Sequence, residues 1–130
     1  TYTKKIQIEG RVLGDLAMNH IVPIASKYEA QLLDKVYKMH QIGGLNASSD
    51  ILLIKKIQDH TASIQKLTGE MIDARKVANR IEDPREKAIA YHDTVAVCFD
   101  EIRRHIDKLE EIVDDQIWPL PKYRELLFLR

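Results

Sequence analysis

The sequence predicts an all-α protein: an elongated antiparallel bundle of three helices, followed by a short helical tail at the C-terminus. Glycine and proline are sparse, and the long stretches 45–83 and 85–118 contain only Gly69 between them. Apolar residues recur three and four positions apart, which places them on one face of a helix. The string Asp83-Pro84-Arg85-Glu86 carries the residue types that begin a helix.

The first helix is predicted over 3–42, where the apolar rhythm never loses phase. Pro23 has no N–H to donate to the helical ladder, so a kink is expected there. Two helices joined by a loop, or a short strand near Tyr2, are the alternatives. The apolar positions are Ile6, Leu13, Leu16, Ala17, Ile21, Ile24, Tyr28, Leu32, Val36, Met39 and Ile42.

The second helix is predicted over 48–82. Gly43-Gly44 ends the preceding helix, and Asn46, Ser48 or Ser49 can cap the next one. Its apolar stripe consists of Leu53, Ile57, His60, Ile64, Leu67, Met71, Ala74, Ala78 and Ile81.

The third helix is predicted over 84–117, with Asp83 as N-cap, Pro84 at the first helical position and Glu86 at the third. The tight turn before it makes the second and third helices antiparallel neighbours. Its stripe is wide enough to meet two neighbours and consists of Ala88, Tyr91, Val95, Cys98, Phe99, Ile102, His105, Ile106, Leu109, Ile112 and Val113.

The tail, 118–130, is too apolar to remain in water, because large exposed side chains forgo burial energy and favour aggregation. Pro119 and Pro121 stop the third helix and stiffen the turn. We expect the tail to dock on the bundle, or on a parent enzyme's catalytic domain, through Trp118, Leu120, Tyr123, Leu126 and Phe128.

Composition excludes several functional classes. Twenty Lys+Arg balance twenty Asp+Glu, which argues against nucleic acid or an anionic membrane as the partner. The single cysteine cannot form an internal disulfide, and no signal-like segment opens the chain, so a cytoplasmic protein is expected. The first residue is Thr1 rather than Met, which suggests a piece of a longer chain.

The residues offer little chemistry. Cys98 lies on the inward stripe and is expected to be a buried thiol rather than a nucleophile. Glu101 and His105 lie four apart and could share a metal, yet two ligands are too few. Carboxylates at a helix C-terminus oppose the helix dipole, so either a divalent cation or Lys122 and Arg124 should compensate them. That acidic cluster is Glu110, Glu111, Asp114 and Asp115.

The C-terminal string resembles a known family. Asp114-Asp115-Gln116-Ile117-Trp118-Pro119-Leu120-Pro121-Lys122-Tyr123-Arg124-Glu125-Leu126-Leu127-Phe128 is similar to the extreme C-terminus of type III glutamine synthetases, the large form of Bacteroides and cyanobacteria. Upstream, 99–110 resembles the family's last long helix, 74–79 the end of the preceding helix, and 8–23 the helix leading out of the catalytic domain. The connection 43–50 is shorter than in the family.

This resemblance implies a parent enzyme that joins ammonia to glutamate with ATP and Mg²⁺ or Mn²⁺, through γ-glutamyl phosphate. It also implies a cytoplasmic dodecamer of two stacked hexameric rings. The family's catalytic and nucleotide-binding motifs lie upstream, and none matches here, so no catalytic, cofactor-binding or metal-binding residue is carried over to this chain.

Three functional hypotheses follow. The first is a non-catalytic C-terminal domain of a type III glutamine synthetase, which provides packing or subunit contacts with the catalytic domain and other subunits. The second is an independent helical module for protein interaction. The third is a small metal-dependent helical enzyme that uses Glu101, His105 and the acidic cluster.

Overall fold

The computed structural model describes residues 1–113, and every regular element in that range is helical. The predicted all-α class is therefore confirmed. The elements fall into three helical segments, separated by the connections at 43–47 and 80–83. In order they are α1 (Tyr2–Leu16), π1 (Ala17–Ile21), α2 (Val22–Ile42), α3 (Ser48–Asn79), α4 (Pro84–Ala90), π2 (Tyr91–Val95) and α5 (Val97–Ile112).

The first segment is helical without a loop, so the strand and two-helix alternatives are wrong. It contains a π turn immediately before Pro23, in which the Val22 N–H donates to the Ala17 carbonyl five residues back. Pro23 lacks an N–H, so the α-helical ladder is interrupted at this point in any case. A π turn next to such an interruption adds a residue while the chain stays helical. The kink at Pro23 stays a prediction.

The connection between α2 and α3 follows the predicted turn chemistry at its two glycines. Gly43 and Gly44 adopt positive φ values of 81° and 73°, a region that glycine enters without the steric cost of a Cβ. The N-cap of α3 is Ala47, which has no side chain to cap with, so the predicted cap at Asn46, Ser48 or Ser49 is wrong. Asn46, one residue earlier, accepts a hydrogen bond from the Ser48 N–H at 3.0 Å. With 32 residues, α3 is about 48 Å long at 1.5 Å per residue. It ends at Asn79 rather than at the predicted residue 82.

The third segment begins as predicted. The Asp83 carboxylate caps α4 by accepting a hydrogen bond from the Glu86 N–H at 2.9 Å. A second π turn follows, closed by the Ala96 N–H and the Tyr91 carbonyl at 2.9 Å. The last helix ends at Ile112, and Val113 has an extended backbone (φ −74°, ψ 136°). The rest of the predicted helix to residue 117, and the predicted tail, lie outside the described residues.

The core is formed by the predicted stripes of all three segments. Its fully buried large side chains include Ile21, Ile57, Ile64, Ile102 and Ile106. The apolar rhythm of the first segment continues to Ile42, but that side chain is 74% exposed. Ile42 therefore does not belong to the core of the described residues.

Contacts between distant residues fix how the segments meet. Near the start of α1, Gln7 bonds to Asn79 at the end of α3, and Gly14 lies against Thr68 and Met71 in the middle of α3. Near the end of α2, Lys35 Nζ lies 3.1 Å from Asp50 Oδ1 at the start of α3. Between α3 and α5, the two segments touch at His60 and His105.

The Asp83 cap provides a stability prediction. Asp83→Ala is expected to lower the urea midpoint, because loss of an N-cap costs about 0.5–2 kcal/mol. Lys55→Ala, a change on an exposed helical face, should stay within about 0.5 kcal/mol of the parent chain. Asp83→Asn, which keeps a capping oxygen, is the matched control and should retain most of the stability. Equal midpoints for the alanine variants at Asp83 and Lys55 would show that this cap does not hold the helix.

Candidate functional site

The predicted docking residues, Trp118, Leu120, Tyr123, Leu126 and Phe128, all lie outside the described residues. Within residues 1–113, two clusters of polar side chains join different helical segments. One is a pair of histidines between α3 and α5, and the other is a tyrosine-centred network between the three segments.

The histidine pair joins side chains that the sequence placed separately on two apolar stripes. His60 Nδ1 and His105 Nδ1 are 2.9 Å apart, and the ring centroids are 5.1 Å apart at an interplanar angle of 55°. Both residues are half-buried. A hydrogen bond at this distance requires one ring to donate and the other to accept, so at least one imidazole must be neutral.

The surroundings of the pair also favour the neutral form. Burial lowers the pKa of His60, and the neighbouring His105 lowers it further, with Lys108 and Arg104 contributing in the same direction against Asp59. Burial likewise lowers the pKa of His105, as does Arg104, while Glu101 opposes them. The pair is therefore a neutral link between two helices at neutral pH.

The metal hypothesis finds no support around these histidines. Glu101 Oε2 lies 4.0 Å from His105 Nε2, but both oxygens of that carboxylate also accept hydrogen bonds from Arg104 at 3.1 Å. Within residues 1–113, no group of three or more His, Cys, Asp or Glu side chains is arranged to hold a metal ion.

The acidic cluster is divided by the structure. Glu110 is 1% exposed and belongs to the buried face of α5, whereas Glu111 is exposed and lies 3.8 Å from Lys108 Nζ. Asp114 and Asp115 lie outside the described residues, as do the proposed partners Lys122 and Arg124. The sequence pattern did not reveal the burial of Glu110, because a charged residue near the end of an apolar stripe usually reaches solvent.

The second cluster was missed at the sequence level. Tyr91, the first residue of π2, is fully buried, and its hydroxyl donates to Asn79 Oδ1. Gln7 Nε2 donates to the same hydroxyl at 2.9 Å and to Asn79 Oδ1 at 3.2 Å. The network thus ties α1, the end of α3 and π2 together. A tyrosine on an apolar stripe signals that a polar partner is needed, but not which distant residue provides it.

Cys98 is buried, as predicted. Burial raises the pKa of its thiol, with Glu70 adding to the effect, and Sγ lies 3.7 Å from the Thr94 carbonyl oxygen. A thiol kept protonated in this way is a poor nucleophile.

The basic pair Arg103-Arg104 is occupied by acidic partners. Arg104 bonds to Glu101. Arg103 lies 3.6 Å from Asp100 on the same helix and 3.9 Å from Glu9 of α1.

Across residues 1–113, no helix combines the length and the apolar character that crossing a membrane requires.

Comparisons with known proteins find similarity to glutamine synthetases. Residues 1–40 match the family model described as the glutamine synthetase C-terminal domain. Over 99% of its length the chain is 50% identical to a glutamine synthetase of Bacteroides fragilis (strain YCH46). It is 25% identical to a type-3 glutamine synthetase of Dictyostelium discoideum over 99% of its length, and 24% identical to a glutamine synthetase of Butyrivibrio fibrisolvens over 98%.

The chain spans only 18% of the length of each of these relatives. The similarity nevertheless runs along nearly all of the chain, including the segments on which the resemblance was based. The resemblance to type III glutamine synthetases is therefore confirmed, and residues 1–40 match the C-terminal domain of the glutamine synthetase family.

Proposed function

We propose that this chain is the non-catalytic C-terminal helical domain of a type III glutamine synthetase, and that it provides packing or subunit contacts. The observation that carries the proposal is the 50% identity to the Bacteroides fragilis glutamine synthetase over 99% of this chain. In this proposal, the parent enzyme joins ammonia to glutamate with ATP and Mg²⁺ or Mn²⁺, and works as a cytoplasmic homo-oligomer, a dodecamer by the family resemblance.

The arrangement of the helices supports a structural role. We propose that the three segments run antiparallel to their neighbours in sequence, and that the tail docks through its five large side chains. The pairs Gln7–Asn79 and Lys35–Asp50 support the antiparallel arrangement, because an early residue of the first segment meets the end of the second and a late residue meets its start. Such a bundle holds its shape through its own core and leaves its outer faces for the catalytic domain or other subunits.

The proposal predicts that the 130-residue chain folds but does not make glutamine. Far-UV circular dichroism should show strong helical minima, since residues 1–113 are almost entirely helical. Incubation with glutamate, ammonia, ATP and Mg²⁺ should release no phosphate above the level without protein. The parent enzyme containing this segment is the positive control.

Glutamine formed by this chain alone would contradict the non-catalytic role. The interaction-module hypothesis predicts the same absence of activity, so the coding sequence upstream of Thr1 distinguishes it. A glutamine synthetase catalytic domain encoded there supports the proposal, and an unrelated upstream sequence contradicts it.

A further inference from the structure

One group of exposed apolar side chains lies where the first segment turns back into the second. Of the twelve large apolar residues that are exposed in residues 1–113, half lie between positions 33 and 52, where α2 turns back into α3. We call them the hairpin patch: Leu33, Tyr37, Ile42, Leu45, Ile51 and Leu52. Leu33 and Tyr37 are four apart and therefore adjacent on α2. The Lys35–Asp50 ion pair, on the other side of α2, places the first turn of α3 alongside this stretch of α2.

The third segment does not cover this end. His60 and His105 mark where α3 and α5 meet, and α5 ends seven residues beyond His105, which is about 10 Å. With α3 and α5 antiparallel, as proposed above, this end is level with Leu53. The hairpin formed by 33–52 thus projects past the last residue of α5 and lacks a third helix among the described residues.

The chain itself continues from this place. Val113 leaves the helical path with an extended backbone while its side chain stays 3% exposed, so the chain turns off at the base of the hairpin. The seventeen residues from 114 to 130 can span up to about 56 Å when extended, whereas the hairpin beyond Leu53 measures only about 15 Å.

The sequence of this tail has the matching chemistry. Pro119 and Pro121 prevent α5 from simply continuing, and Trp118, Leu120, Tyr123, Leu126 and Phe128 provide large apolar side chains for an apolar surface. We infer that residues 118–128 of the same chain cover the hairpin patch and thereby supply the layer that is missing at this end. This inference deepens the tail docking proposed above by naming the surface on which it occurs.

The test uses Trp118, the single tryptophan, in the full 130-residue chain. Trp118 should be shielded from acrylamide, and Leu33→Glu/Tyr37→Glu should abolish the shielding by placing two charges in the patch. Val77→Glu, at a residue of α3 that is also exposed but lies far from the hairpin, is the matched control and should leave the shielding intact. Leu126→Glu changes the tail rather than the bundle and should also abolish the shielding. Circular dichroism checks that each variant remains helical.

Three outcomes would overturn the inference. Quenching of Trp118 in the unmodified chain at the rate of a free tryptophan shows that the tail does not dock within this chain. Shielding that survives both patch and tail variants shows that it docks elsewhere. Shielding that disappears on dilution, together with a change in oligomer size, shows that a second copy covers the patch. None of these results depends on synthetase activity, so the inference can fail while the proposed function stands.

Discussion

Tyr91→Ala is expected to remove a large part of the chain's free energy of unfolding. The side chain is fully buried at the start of π2, where it meets the first and second segments. Truncating a buried aromatic residue to alanine costs about 3–5 kcal/mol, because the lost apolar contacts are only partly replaced when the cavity relaxes. A domain of this kind has about 5–15 kcal/mol in total, so the urea midpoint should fall steeply.

Tyr91→Phe separates the ring from the hydroxyl. It keeps the packing and removes only the hydrogen bonds to Gln7 and Asn79. Asn79 is exposed and Gln7 half-buried, so water can replace the lost bonds, and the cost should be about 0.5–1.5 kcal/mol. Tyr2→Ala, at a half-exposed tyrosine of α1, is the control and should change the midpoint least. Equal losses for the alanine and phenylalanine variants would mean that the hydroxyl network, rather than packing, holds the segments together.

The sequence was sufficient to predict the elements whose causes are local. The Asp83 cap and the two glycines after α2 depend on residues within a few positions of each other, and each was found where the residue types indicate. The three apolar stripes were also predictable, because burying a helical face requires a fixed spacing.

The features that were missed cannot be recognised from residue types or apolar spacing. Neither π turn has a sequence signature of its own. A helical turn whose hydrogen bond spans five residues accepts the same side chains as an α-helical turn, whose bond spans four. Pro23 marks an interruption before α2, but it does not reveal that the extra residue lies at Ala17–Ile21. Ile42 keeps the apolar rhythm, yet its side chain is 74% exposed.

In the candidate site, too, the positions within one helix were predictable and the contacts between helices were not. His60 and His105 were each placed on an inward stripe from spacing alone. That they meet at 2.9 Å depends on the register between α3 and α5, which single-helix periodicity does not specify. Glu101, four residues from His105, could share a metal with it by spacing alone, and its carboxylate accepts hydrogen bonds from Arg104.

The histidine pair should make the chain less stable in mild acid. Both pKa values are lower in the folded chain than the ordinary 6.5, chiefly because of burial. The unfolded chain therefore takes up protons first as the pH falls. The stabilising contribution is present above pH 6.5 and is lost as the pH falls from 6.5 toward the lower folded pKa values.

The geometry makes this loss larger than one buried histidine would cause. Two protonated rings with facing Nδ1 atoms would both be donors and both be positive, so the hydrogen bond between α3 and α5 could not form. The other charges around the pair are divided: Arg104 and Lys108 oppose protonation, while Asp59 and Glu101 favour it. The carboxylates reduce the effect but do not remove the direct clash of two donors.

Urea midpoints at about pH 7.5 and about pH 5, on either side of the ordinary histidine pKa of about 6.5, would measure the effect. The unmodified chain should lose stability at the lower pH. The double variant His60→Gln/His105→Gln should lose much less, because neither glutamine titrates. His40→Gln, at an exposed histidine of α2, is the matched control and should behave like the parent chain. If the unmodified chain and the double variant lost the same stability between the two pH values, the histidine pair would not be the source of the acid sensitivity. NMR titration of the two imidazoles gives an independent check. Both should titrate below 6.5 in the folded chain and closer to 6.5 in the chain unfolded by urea.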